Sequence, residues 1–71
     1  MIRLKDLLPM SYAGRFVIKN DDENGLTVWE GQKFGKGYDE MRNEYGDYEV
    51  CGIRSANGRY LIITIQKESW L

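Results

Sequence analysis

Asn57-Gly58 stands between two runs of strand-forming residues, "DYEVCGIRS" at 47–55 and "RYLIITIQK" at 59–67. An Asn-Gly step between alternating apolar residues is a strong hairpin signal, because both residues accept the left-handed backbone of a tight turn. Two registers are open. A two-residue Asn57-Gly58 loop sets Leu61 opposite Arg54 and Ile63 opposite Gly52. A three-residue Ala56-Asn57-Gly58 loop, with Gly58 left-handed in a bulge, sets Leu61 opposite Ile53 and Ile63 opposite Cys51. The second gives one continuous apolar face, and register follows burial. The expected core face therefore holds Cys51, Ile53, Leu61, Ile63 and Ile65, with Ile62 and Val50 on the opposite side.

A second hairpin precedes it. "GRFVIKN" and "LTVWE" read as strands, and "DDENG" between them carries local Asp and Asn hydrogen bonding and a permissive Gly25. Expected strands lie near residues 14–20, 25–30, 48–55 and 59–66. In residues 2–8, Leu4, Leu7 and Leu8 have helical spacing, with Pro9 as a stop. Tyr38, Met41 and Tyr45 repeat that pattern over 38–46, and Gly46 can cap the helix. The simplest compact solution is an α+β domain over 1–71: a four-stranded antiparallel sheet of two hairpins with one or two short helices. A small curled barrel is the alternative.

Ten basic and eleven acidic residues leave a net charge of −1, so no strong pull toward nucleic acid or an anionic membrane is implied. The chain has no histidine, which removes the commonest general base and zinc ligand together. Cys51 is the single cysteine, so no internal disulfide staples the fold and a reducing compartment is the simplest setting. The start, "MIRLKDLLPM", lacks the continuous apolar segment of a signal peptide, and no apolar run approaches a bilayer span. A cytoplasmic protein is expected.

"GQKFGKGYDE" at 31–40 invites a phosphate-loop reading, but Gly31, Gly35, Lys36 and Gly37 are one residue short of the required spacing. Glycine also stands where a magnesium-holding hydroxyl belongs, and Glu40 breaks the dinucleotide pattern. A flexible strand-to-helix connector fits better. "NDDENG" fails as a calcium loop, because Gly31 occupies the position of the closing glutamate. Cys51 sits mid-strand with no histidine to activate it. The acidic pairs Asp21/Asp22, Asp39/Glu40 and Asp47/Glu49 lie in polar runs where solvation is expected. No catalytic residue, cofactor or metal site is assigned, and no enzymatic activity is expected.

The opening "LKDLLP" and the closing "YEVCGIRSANGRYLIITI" resemble the ends of small uncharacterised proteins of phages and prophages of Gram-positive bacteria. That resemblance implies a phage or mobile-element origin in a bacterial cytoplasm, in a gene class that encodes short accessory proteins. It brings no catalytic residues.

Aromatic residues concentrate in the central third, with Trp29 and Phe34 beside Tyr38, Tyr45 and Tyr48. Core packing accounts for part of this. Tyr38, Arg42, Tyr45, Tyr48 and the penultimate Trp70 are also the residue types that anchor protein contacts. The expected function is a small non-enzymatic binding module acting through a protein contact surface, with an unknown protein partner and a possible homo-oligomer. The alternative is a nucleic-acid accessory protein that stacks bases on Tyr38, Tyr45 and Tyr48 beside Lys33 and Lys36. The interspersed Asp39, Glu40, Glu44, Asp47 and Glu49 disfavour it.

Overall fold

A computed structural model describes residues 2–57 and 59–67. The first hairpin is β1 (Arg15–Asn20) and β2 (Leu26–Gln32), and the second is β3 (Glu49–Ala56) and β4 (Tyr60–Gln66). Helix α1 (Leu4–Leu7) precedes them and α2 (Tyr38–Tyr45) joins them. The result is the expected α+β architecture on one open four-stranded sheet, not a barrel, in the spatial order β2-β1-β4-β3.

The sheet is mixed, which corrects the antiparallel expectation. Strand β1 runs parallel to β4, setting Phe16 beside Leu61 and Ile18 beside Ile63. Burial explains the arrangement. The two most apolar strands take the centre, and Phe16, Ile18, Ile63 and Ile65 are all fully buried there. The edge strands β2 and β3 then run in the same direction, so the chain must travel back along the sheet between them. Residues 33–48, including α2, make that return. Leu4, Leu8, Tyr38 and Met41 from the helical layer complete one cluster with the four strand residues.

Helix α1 is a single turn, too short to stand without support. Its orphan amides are satisfied by the segment after α2: Leu4 N donates to Tyr48 O at 3.0 Å and Lys5 N to Gly46 O at 2.9 Å. Lys5 Nζ also pairs with Asp47 at 2.8 Å. Pro9 does not end the structure. It sits early in a 3-10 turn over Leu8–Met10, where its missing N–H costs nothing. Gly46 caps α2 in a right-handed conformation, and glycine is needed for space: a Cβ would collide with Arg42 O and stand 3.1 Å from Lys5 Cβ.

The second hairpin departs from its expected register by two residues. Ala56 pairs with Tyr60 and Ile53 with Ile63, so the loop is 57–59 and not 56–58. Arg59 N bonds Ala56 O at 3.0 Å, and Asn57 takes the left-handed conformation at φ 55°. Gly58 lies outside the described residues. A shift of two keeps every side chain on its face, and Ile63 and Ile65 are buried as expected. A bulge at Cys51 changes the rest. It lets Val50 pair with Ile65, so Val50 packs against the core and not beside Ile62 on the far side. Cys51 is left unpaired and exposed, with Sγ turned back 3.5 Å from Thr64 O. Ile53 is 53% exposed, because β3 is an edge strand whose far end extends past the helical cover.

Candidate functional site

The glycine-rich stretch is built around an indole. Trp29, on β2, lies over Gly31 and reaches Gly37 at the start of α2. A Cβ on Gly31 would stand 2.8 Å from Trp29 Cζ2, and one on Gly37 3.0 Å from Nε1. Gly37 also has φ +80°, the left-handed region that favours glycine. Two of the loop's glycines thus make room for a side chain, and Gly37 sets the entry angle of α2.

Tyr38 is the hub of the same aromatic group. Its ring lies 6.5 Å from Phe16, 6.1 Å from Trp29 and 5.3 Å from Phe34, the last two edge to face. At 1% exposure Tyr38 belongs to the core and has no surface to offer a partner. Burial pushes its phenol above the ordinary range, while Arg42 pulls it back down. The Arg42 guanidinium stands 5.9 Å from the Tyr38 ring and 3.6 Å from Asp39. Tyr45 and Tyr48 pair edge to face at 5.1 Å, both half-buried, at the far end of α2. Burial, and then Glu44, raise the Tyr45 phenol. Trp70 lies outside the described residues. The five candidate contact residues therefore do not form one patch, and the base-stacking arrangement is split as well. Tyr38 is buried, and α2, about 12 Å long, separates Tyr45 and Tyr48 at its far end from Lys33 and Lys36 before its start.

A different surface is assembled at the opposite end of the sheet. Lys33 ties the segment before β1 to the segment after β2, with its N–H on Gly14 O at 2.8 Å and its Nζ on Ser11 O at 2.9 Å. The same Nζ is 5.6 Å from the centre of the Phe34 ring. Phe34 is 77% exposed, and its backbone is held at φ +63°, uncommon for a bulky residue. On either side of Ser11, Met10 is 65% exposed and Tyr12 fully so. Ser11, Tyr12 and Ala13 then face Ser55, Arg59, Tyr60 and Leu61 across an open cleft of about 340 Å³. Exposed Lys36 and Arg59 form no ion pair among the described residues.

Met10 and Tyr12 escape sequence reasoning, since nothing in "PMSYAG" marks either side chain as exposed. Phe34 carried a usable signal: an aromatic between Lys33 and Gly35 in a turn has no periodic partner to bury it. Among the described residues no cluster of three or more acidic, cysteine or histidine side chains could hold a metal ion, and no helix is long and apolar enough to cross a membrane. Comparisons with protein families, with curated proteins and with solved structures find no match.

Proposed function

We propose that this chain is a small binding module, of phage or mobile-element origin and acting in the bacterial cytoplasm, that works without catalysis by occupying a surface of another protein. The loop end of the sheet is its contact surface. The carrying observation is the placement of Met10, Tyr12 and Phe34 in solvent on two segments locked together by Lys33. A braced backbone loses little further entropy when the Met and aromatic side chains it carries meet a partner, and a polar rim of mixed charge suits a protein contact. Nucleic acid is the poorer fit for the same end. Asp39 and Glu40 lie exposed in the first turn of α2 just behind Phe34, where they interrupt any phosphate track. The terminal resemblance to short phage proteins supports the origin.

Affinity capture from a bacterial lysate, with and without nuclease, tests this reading. The expected result is a nuclease-resistant protein partner lost on Tyr12→Ala or Phe34→Ala and retained on Tyr45→Ala. Recovery of only nuclease-sensitive material, bound in a salt-dependent way, would overturn it.

A further inference from the structure

Strand β3 is a sheet edge that the chain covers only in part. At its start, residues 2–4 run antiparallel along its outer side: Arg3 bridges Glu49, Val50 N donates to Ile2 O at 3.0 Å, and Leu4 N donates to Tyr48 O at 3.0 Å. The bulge at Cys51 ends that stretch, and residues 52–56 then have β4 on one side and no strand on the other among the described residues. Ala56 O accepts from Arg59 N across the turn, so Ala56 faces β4. Pairing groups alternate in direction along an antiparallel strand, which turns the N–H and C=O of Ser55 and Ile53 outward. Both residues are exposed. Arg54, between them and exposed as well, is paired with Ile62 on the sheet face away from the helices. There it shares an open cleft of about 340 Å³ with half-buried Lys19, over Ile62 and Thr64. Neither cation forms an ion pair among the described residues, and no carboxylate lines the cleft. Glu49, the one acid of β3 itself, is engaged by Gln66 Nε2 at 3.1 Å.

We infer that residues 52–56 take an extended segment of another protein as a fifth strand, antiparallel to β3, with a carboxylate opposite Arg54 and an aliphatic side chain opposite Ile53. The chain's own pairing at residues 2–4 shows that this edge accepts a strand and in which direction. Main-chain bonds at Ile53 and Ser55 supply affinity, and the alternate side chains supply choice. A neighbouring strand lies about 4.8 Å away, so the side chains opposite Ile53 and Arg54 meet them, one on each face of the sheet. Read antiparallel, the segment carries an acidic residue followed at once by an aliphatic one. A second copy of this chain is the poorer occupant. Two-fold pairing that uses both outward residues sets Arg54 against Arg54 of the copy, like charges face to face. Registers centred on Ile53 or Ser55 keep one pair before meeting the bulge at Cys51 or the turn at Asn57. This contact goes beyond the loop-end surface and does not depend on it.

Phage-displayed random heptapeptides selected on the folded domain give the first test. Enriched peptides should carry Asp or Glu directly before Val, Ile or Leu. Synthetic copies, followed by fluorescence anisotropy, should bind Arg54→Glu about tenfold more weakly, as an attractive cross-strand charge pair becomes a repulsive one. Replacing the peptide's acid with lysine should restore binding to that variant. N-methylation of the peptide's aliphatic residue, whose N–H faces Ile53, should abolish binding, whereas N-methylation of the acidic residue, whose N–H faces solvent, should not. Contact through side chains alone would not alternate in this way. Ile53→Pro removes an outward donor and no ladder bond, so it should keep the circular dichroism spectrum and lose the peptides. Should that variant fail to fold, Arg54→Glu and the two N-methylated peptides decide the matter. Tyr12→Ala should leave the affinity unchanged. No enriched peptide, enrichment without the acidic-aliphatic order, or affinity indifferent to Arg54→Glu and to N-methylation would each overturn the inference and leave the loop-end reading standing. Peptides lost on Tyr12→Ala in place of Arg54→Glu would also overturn it, and would place them at the loop end.

Discussion

The indole of Trp29 lies across Gly31 so closely that a Cβ there would stand 2.8 Å from its Cζ2 atom. The pairing explains why a glycine-rich stretch in a strand-helix connection need not serve a phosphate. It also yields a direct test. Gly31→Ala and Gly37→Ala should each destabilise the fold by about 1–3 kcal/mol through overpacking, with added backbone strain at Gly37. Gly14→Ala, whose Cβ would meet open space, should be neutral or stabilising by about 0.5 kcal/mol. Urea midpoints decide it, and equal effects at Gly14 and Gly31 would contradict the packing account.

Gly46→Ala should be among the costliest glycine replacements, at about 3 kcal/mol or more. The new Cβ collides with the Arg42 carbonyl, and Lys5 behind it is fixed by the hydrogen bond from its own amide to Gly46 O. Thermal melts would show the loss; an unchanged melting temperature would mean that the last turn of α2 relaxes away from the new Cβ.

The register makes Ile53 and Ile63 opposite in cost although they are cross-strand partners. Ile63→Ala, fully buried, should cost about 2–5 kcal/mol, whereas Ile53→Ala on the exposed edge should cost under about 1 kcal/mol. Similar losses at both sites would mean that the helical cover reaches over β3 as well, against the exposure of Ile53.

Stability should fall in alkali. Burial raises the Tyr38 phenol, and Tyr45 is raised in the same sense, so the folded chain holds protons that the unfolded chain has already released. This contribution is complete below about pH 10, the unfolded value, and is lost as pH rises through the folded one. Urea midpoints measured from pH 8 to 11 should decline, and Tyr38→Phe should flatten the decline. A midpoint independent of pH in that range would show that the phenols titrate alike in both states.

Cys51 should react slowly for an exposed cysteine. Burial of its sulfur, then Asp21, Glu49 and Asp22, raise its pKa, so less thiolate is present at neutral pH. Its rate with a disulfide reagent should be below that of the unfolded chain and rise on Asp21→Asn. A folded-state rate above the unfolded one would reverse the assignment.

Hairpins, helices and the buried Ile63 and Ile65 were legible because they rest on short-range periodicity. The parallel seam of β1 and β4 was not, because it is chosen by competition among whole strands for the centre of the sheet, which no local window contains. The bulge at Cys51 was hidden for a related reason: inserting one residue lets Val50 and Ile53, three positions apart, share a face, against the period of two. Contact residues fared worst. Tyr38 has the composition of an anchor and the burial of a core residue, whereas Tyr12 has neither neighbour nor period to reveal that it stands free.

The central seam also bears on how the molecule comes into being. Phe16 and Ile18 find their partners at Leu61 and Ile63. During vectorial synthesis β4 is the last of the four strands to emerge, yet it sits in the middle of the sheet. Until it leaves the ribosome, β1 is an edge with its largest apolar side chains uncovered, and α1 and α2 have half a surface to rest on. The domain cannot be assembled outward from its first hairpin. Pairing Phe16 with Leu61 draws together positions about 45 residues apart, a long-range contact of the kind that slows folding.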